Sequence, residues 1–122
     1  MSSVISMVTF DCAAPLELAR FWGAVTGWPL HEESEGEEAM LVAPEPLASM
    51  LFLRVPEGKS AKNRIHFDLW PADRTRDEEV ERLIALGAKV HSDLRRADGA
   101  GWVVLADPEG NEFCVERSAA ER

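Results

Sequence analysis

Eight short segments of the chain are predicted to be β-strands, and in the first of them apolar and polar residues alternate, the pattern of a strand with one buried face. Two other segments repeat their apolar residues at helical spacing, one from Pro15 to a stop at Gly27 and one over 73–86 with a stop at Gly87. The order β-α-β-β-β is therefore predicted twice. The predicted strands are 4–12, 28–33, 38–43 and 48–55, followed by 64–70, 88–94, 101–106 and 111–117.

An internal similarity supports two modules within one domain of 122 residues. Residues 27–31 align with 87–91, and residues 7–11 align with 66–70. The polar, turn-rich segment between the halves is interpreted as a linker. The predicted division is module one over 1–56, a linker over 57–63 and module two over 64–122.

The charge of the chain excludes two classes of partner. It has 13 Lys and Arg against 22 Asp and Glu, a net charge of −9, and no basic tract. Nucleic acids and anionic membrane surfaces require clustered positive charge, so neither is expected as a partner. No apolar run is long enough for a membrane span, and no signal-peptide pattern is seen. Two cysteines without CxxC spacing indicate free thiols, so a cytoplasmic protein is expected.

Three motifs carry a resemblance to a known family. The opening over 7–28 combines a strand with a helix that contains the aromatic pair Phe21-Trp22. The second half begins Arg64-Ile-His-Phe-Asp-Leu, and the last strand follows Asp-Pro-Glu-Gly-Asn-Glu-Phe-Cys over 107–114. Together these resemble the glyoxalase/bleomycin resistance/dioxygenase (vicinal oxygen chelate) superfamily, and within it the small glyoxalase-like domain proteins.

The resemblance implies an α+β fold in which two βαβββ modules, with one helix each, form a curved eight-stranded mixed sheet with a cleft. Superfamily members use that cleft for metal-dependent isomerisation, epimerisation, ring cleavage or thiol transfer, and others only sequester drugs. Many are dimers, so a homodimer is implied as well. The fold alone does not choose among these activities.

The metal enzymes of the superfamily take one ligand from each of four strands, and this chain matches that set incompletely. The first, third and fourth positions correspond to Met7, His66 and Cys114, while segment 49–55, which holds the second, contains no Asp, Glu or His. His66 and Cys114 suit zinc or ferrous iron, but two ligands are one short of the usual three at a catalytic zinc. Glu116 or Glu112, both on the same strand face as Cys114, would complete the set, with Glu116 the preferred third ligand. No cofactor is therefore expected, and a divalent metal only if one of these carboxylates joins.

His66 and Cys114 each have a chemical and a structural interpretation. His66 is a candidate general base oriented by Asp68, because histidine titrates near neutrality. The alternative is a histidine held by hydrogen bonds in a polar cleft. Cys114 is a candidate nucleophile if His66 lies opposite it, and the alternative is a buried, inert thiol.

The function that this pattern favours is binding of a small, aromatic or apolar molecule in the cleft, without a complete catalytic metal site. One rival is an enzyme, either a metal-dependent lyase or isomerase of the glyoxalase type using His66, Cys114 and Glu116, or a metal-free one using His66 as base. The other is a partner module with no small ligand. The expected ligand-binding side chains are Met7, Asp11, Phe52, Asp68, Trp70, Trp102 and Cys114.

Overall fold

The chain, described over residues 2–122 by a computed structural model, divides into two compact units, Met1–Gly58 and Lys59–Arg122. The fold is α+β, with two α-helices and two mixed sheets of three and four strands. Within the described range no helix is long and apolar enough to cross a membrane.

The first unit contains strands β1 (Met7–Cys12), β2 (Glu38–Leu41) and β3 (Ser49–Arg54) and helix α1 (Pro15–Thr26). In its sheet β3 lies in the middle, parallel to β1 and antiparallel to β2. Helix α1 begins and ends as predicted. A proline stands in its first turn, where no donor N–H is needed, and Gly27 adopts a left-handed φ of 77° at its end.

The core of the first unit is aromatic and corrects one prediction. Phe10 on β1 pairs in register with Phe52 on β3, so their side chains share a face, with ring centroids 4.9 Å apart. The ring of Trp22, from α1, lies 5.7 Å from that of Phe10. Phe52 is 0% exposed. It is therefore a core residue and not the ligand-contacting wall that was predicted.

The other face of β1 is open. Met7, Thr9 and Asp11 are exposed, whereas Cys12, on the face of Phe10, is buried. This sorting of side chains follows from the alternation of a strand.

The second unit has a four-stranded sheet and one α-helix. Strand β7 lies between β4, to which it is parallel, and β6, to which it is antiparallel, and β5 forms an edge. A short 3₁₀ helix, Ala119–Glu121, follows β7 and was not predicted. The elements are β4 (Asp68–Leu69), α2 (Arg76–Ala85), β5 (Lys89–Asp93), β6 (Val103–Ala106) and β7 (Glu112–Val115).

Helix α2 begins after its predicted start at residue 73. The Thr75 side chain accepts a hydrogen bond from the Glu78 N–H at 3.1 Å, and the Glu78 carboxylate accepts one from the Thr75 N–H at 2.9 Å. This reciprocal capping satisfies two N–H groups at the helix start and makes Thr75 the boundary. The helix ends before Gly87, as predicted.

The predicted strand 28–33 does not form. It is reduced to one isolated bridge between Leu30 and Leu41. Pro29 contributes to this outcome because it has no N–H to donate to a strand ladder. The described residues therefore contain seven strands in two sheets, and the eight-stranded sheet is not confirmed.

The predicted strand 64–70 is shortened to Asp68–Leu69. Ile65, which would alternate with the polar face in a regular strand, is 85% exposed. The adjoining residues still follow β7, because the Phe67 carbonyl accepts a hydrogen bond from the Cys114 N–H at 2.9 Å. The segment thus lies beside β7 without forming a regular strand over its full length.

Candidate functional site

Strand β7, inside the sheet of the second unit, directs three polar side chains to one face. Glu112, Cys114 and Glu116 alternate with Phe113 and Val115, which are 1% and 0% exposed in the core. The three polar residues line a common pocket. The predicted assignment of faces on this strand is therefore confirmed.

The segment beside β7 adds two further groups. Asp68 pairs in register with Cys114 across the parallel ladder, so the two side chains share a face. His66 precedes Asp68 by two residues, and its Nδ1 lies 3.2 Å from Asp68 Oδ1. The register of two strands thus brings together residues that are far apart in sequence.

His66, Asp68 and Cys114 form a donor cluster. One possible ligand atom from each lies within 4.8 Å of the others. The sequence placed His66 and Cys114 together but expected Glu116 as the third donor. In the structure Asp68 is the third member, while Glu116 lines the same pocket outside the cluster.

The pocket above this cluster has a volume of about 370 Å³. That volume falls within the roughly 300–1,000 Å³ of small-molecule sites. Trp102 and Val104 supply apolar surface, and the other lining residues are polar. The lining residues are Lys62, His66, Asp68, Trp102, Val104, Glu112, Cys114 and Glu116.

The surroundings of Cys114 disfavour its thiolate. Burial, and to a lesser extent the carboxylates of Asp68 and Glu116, raise the pKa of Cys114, while the charge of Lys62 opposes them, and the pKa lies at about 11. The thiol is therefore protonated near neutral pH. Because the thiolate is the reactive form, this supports the interpretation of Cys114 as an inert thiol over that of a nucleophile.

Glu112 connects the first residues of the second unit to β7. Its buried carboxylate accepts hydrogen bonds from Lys59 Nζ at 3.1 Å and from the Asn63 N–H at 3.0 Å. Burial alone would raise the pKa of Glu112, but these hydrogen bonds and the charge of Lys59 outweigh it and lower the pKa to about 2. The segment so held includes Lys62, which the sequence did not identify because it lies in a turn-rich stretch without periodicity.

The segment after β7 forms one rim of the site. Arg122 Nη2 lies 3.1 Å from Glu116 Oε1, and its guanidinium carbon is 4.6 Å from the ring centroid of Trp70. A second hollow of about 290 Å³ adjoins the pocket, because Trp102 and Glu116 line both. The hollow is completed by Gly101, Arg117 and Arg122.

The other predicted ligand-binding residues lie elsewhere. Trp70 is 59% exposed beneath Arg122 and is not part of the pocket lining. Met7 and Asp11 lie on the exposed face of β1 in the first unit, and Phe52 is in the core of that unit. The predicted side chains that do line the pocket are His66, Asp68, Trp102 and Cys114.

The donor cluster fits a zinc or ferrous ion in residue type. Zinc accepts imidazole, carboxylate and thiolate ligands, and three protein ligands are usual at a catalytic zinc. The cluster offers one of each. A cation at this position would favour the thiolate that burial disfavours. Hard cations such as Mg²⁺ fit less well, because two of the three residues are not oxygen donors.

Comparison of the sequence with protein families agrees with this fold. The glyoxalase-like domain matches residues 7–116. No curated protein matches the chain significantly. The family resemblance drawn from the sequence motifs is confirmed.

Solved structures share the fold at low sequence identity. A glyoxalase/bleomycin resistance protein/dioxygenase family enzyme from Burkholderia phytofirmans PsJN has a TM-score of 0.69 and 19% identity, over 93% of this chain and 97% of its own. A lactoylglutathione lyase from Agrobacterium tumefaciens has a TM-score of 0.63 and 19% identity, over 98% and 96%. A fosfomycin resistance protein from Mesorhizobium loti has a TM-score of 0.69 and 16% identity, over 95% and 92%. At these identities the likeness shows the fold and does not assign an activity.

Proposed function

This chain belongs to the glyoxalase-like domain family, and on that premise we propose that it binds a small organic molecule in the pocket of its second unit. The observation that carries the proposal is the composition of the lining. Apolar surface from Trp102 and Val104 occurs in the same pocket as the polar cluster of His66, Asp68 and Cys114. Ligand sites characteristically combine apolar surface with a few convergent polar groups.

Different side chains of the pocket contact the apolar and the polar parts of the proposed ligand. Trp102, 38% exposed, offers a flat surface on which an aromatic ring or an acyl chain can pack. His66 and Asp68 orient the polar end of the ligand by hydrogen bonds, and the protonated Cys114 thiol is a weak donor beside them. This role does not require chemistry at the bound molecule.

Trp102→Ala compared with Trp70→Ala tests the proposal. Both tryptophans belong to the second unit and are exposed, but Trp102 lines the pocket and Trp70 does not. Ligands are found by saturation-transfer NMR with a library of aromatic and aliphatic metabolites. Trp102→Ala should weaken their binding by about fivefold, the loss of one aromatic contact, and Trp70→Ala by less. Equal losses in both variants, or binding that maps away from the pocket, would contradict the proposal.

A metal-dependent lyase or isomerase is the second candidate, and the donor cluster favours it. His66, Asp68 and Cys114 would hold a zinc or ferrous ion, which when bound supplies a Lewis acid for a substrate oxygen. The chain's own residues would orient the substrate along Trp102, which lines the same pocket. A lactoylglutathione lyase has this fold, so the fold is compatible with a lyase.

Cobalt(II) added to protein purified without chelator tests the second candidate. A thiolate-to-cobalt charge-transfer band is expected, which Cys114→Ser should abolish and Cys12→Ala, in the first unit, should leave unchanged. Asp68→Asn should weaken cobalt binding by about tenfold or more, because it removes one of three ligands. Glu116→Gln should have little effect, since Glu116 lies outside the cluster. Dependence on Glu116 and not on Asp68 would instead support the ligand set expected from the sequence, and no saturable binding would remove this candidate.

The resemblance also implies a homodimer in the cytoplasm, and both remain proposals. Light scattering of the purified protein tests the first. A homodimer would have twice the chain mass of 13.5 kDa. A monomeric mass at all concentrations tested would contradict it.

A further inference from the structure

The carboxylates that line the pocket each have a positively charged or protonatable partner. Such pairing neutralises most of the acidic character that the residue types alone suggest. A cationic ligand would have to compete with these partners for the carboxylates. The pairs are Glu112 with Lys59 at 3.1 Å, Glu116 with Arg122 at 3.1 Å and Asp68 with His66 at 3.2 Å.

Two cations around the site have no carboxylate partner among residues 2–122. Lys62 lines the pocket near Cys114 and forms no ion pair or hydrogen bond in that range. Arg117 lines the adjoining hollow, and its guanidinium contacts the Glu121 carbonyl at 3.4 Å. The chain as a whole carries a net charge of −9, so two unpaired cations at one site run against its composition.

We propose that the pocket takes an organic anion, whose carboxylate or other acidic group pairs with Lys62 and whose body lies along Trp102 towards Arg117. The proposal rests on the small-molecule function proposed for the same pocket. An anion gains two unpaired cations without breaking an existing pair, whereas a cation must displace Lys59 to reach Glu112 or Arg122 to reach Glu116. Charge-assisted hydrogen bonds are roughly twice as strong as neutral ones, so the charge of the ligand decides selectivity.

Three naphthalenes of nearly the same shape test the charge preference: naphthoate, naphthamide and (aminomethyl)naphthalene, all substituted at the same ring position. They are titrated by saturation-transfer NMR and calorimetry at low ionic strength. The anion is expected to bind about fivefold more tightly than the amide, with the amine weakest. Added KCl should reduce the difference, because Lys62 is exposed to solvent and its pairing is screened.

Charge-removing variants identify the cations responsible. Lys62→Gln should weaken naphthoate binding by about fivefold and leave naphthamide unchanged. Lys89→Gln, on the edge strand β5 and outside the pocket lining, is the matched control. Arg117→Gln should cause a smaller loss of about twofold, with Arg96→Gln as its control.

The outcomes separate this proposal from the one it rests on. Binding of the amide or amine at least as tight as that of naphthoate would overturn the anion preference and leave small-molecule binding intact. Equal affinities of Lys62→Gln and Lys89→Gln for naphthoate would also overturn the anion preference and leave small-molecule binding intact. If none of the three probes binds at millimolar concentration, the anion proposal is overturned, and the tryptophan comparison then decides separately on small-molecule binding.

Discussion

The two units repeat one arrangement of strands but place different chemistry on it. In each unit the first strand is parallel to the last, and the aligned repeats put one cross-strand pair at the same place. This cross-strand pair and the residue two positions before it are apolar or weakly polar in the first unit. In the second unit the same three positions hold donor groups. The corresponding side chains are Met7, Thr9 and Leu51 in the first unit and His66, Asp68 and Cys114 in the second.

This difference separates the contribution of the backbone from that of the residue type. A parallel pair of strands in register brings side chains of one face together in both units. Whether they form a site depends on what those side chains are. A thioether, a hydroxyl and a leucine offer little to a metal or a polar ligand, whereas imidazole, carboxylate and thiol do. The fold therefore supplies two scaffolds, and one carries the candidate chemistry.

The largest expected effect concerns the core beneath these positions. Phe52 and Val115 follow Leu51 and Cys114 and are both 0% exposed. Phe52→Ala should lower the free energy of unfolding by about 3–5 kcal/mol, and Val115→Ala by less because fewer buried atoms are removed. Urea denaturation measures both. An unchanged unfolding free energy in Phe52→Ala would contradict the placement of this ring in the core.

The second-largest effect is expected from the ion pairs, which should contribute more to the free energy of unfolding in the second unit than in the first. Glu112 and Lys59 are 8% and 22% exposed in the second unit, whereas Glu37 and Arg54 are 67% and 59% exposed in the first. Glu112→Gln should destabilise the protein by about 1–3 kcal/mol, because it weakens hydrogen bonds to a buried charge. Glu37→Gln should cost less than about 1 kcal/mol. Denaturation at neutral pH compares them, and equal costs would contradict the role of burial.

The contribution of Glu112 should also vanish in acid. The folded-state pKa of about 2 lies below the usual value of 4.5, so folding favours the ionised form. The stabilisation is complete above pH 4.5 and is lost as the pH falls towards 2. The difference in stability between the wild type and Glu112→Gln should therefore narrow across this window. A difference that stays constant with pH would show that ionisation is not its origin.

A smaller, alkaline effect should arise from Cys114. In a Cys12→Ala background the thiolate absorbance of the folded protein should titrate with a midpoint of about 11. Because the raised pKa favours the protonated thiol, this stabilisation is present below pH 9.0 and is lost as the pH rises through about 11. A midpoint at 9.0, the unshifted value, would mean that the thiol is not buried as described.

The smallest effect is expected at the rim. Arg122→Lys keeps a positive charge beside Glu116 but removes the planar group over Trp70. Since these side chains are exposed, the cost in stability should stay below about 1 kcal/mol. Thermal denaturation measures it. A cost larger than that of Glu112→Gln would contradict the description of this contact as an exposed rim.

Local patterns were sufficient for several elements. Alternation alone placed Glu112, Cys114 and Glu116 on one face of β7, because each residue of a strand reverses the direction of its side chain. The end of α1 at Gly27 was predictable for a similar reason, since glycine readily adopts the left-handed conformation found there.

The features that the sequence did not predict depend on contacts between residues distant in sequence. Residues 50–53 are all apolar, so the pattern does not distinguish the two faces of β3, and the register with β1 is what buries Phe52. Lys62 reaches the pocket because Glu112 holds the neighbouring residues Lys59 and Asn63. Neither contact has a periodic signature in the sequence.

The sequence by itself determined the α+β class, both helices, most of the strands, the faces of β1 and β7 and the family. These follow from periodicity, capping residues and short motifs, all of which are local. The tertiary structure decided that Asp68 joins His66 and Cys114 in the donor cluster. It also decided which pocket cations remain unpaired. Both depend on the register between strands and on side-chain contacts across the fold, because these set which groups lie within bonding distance.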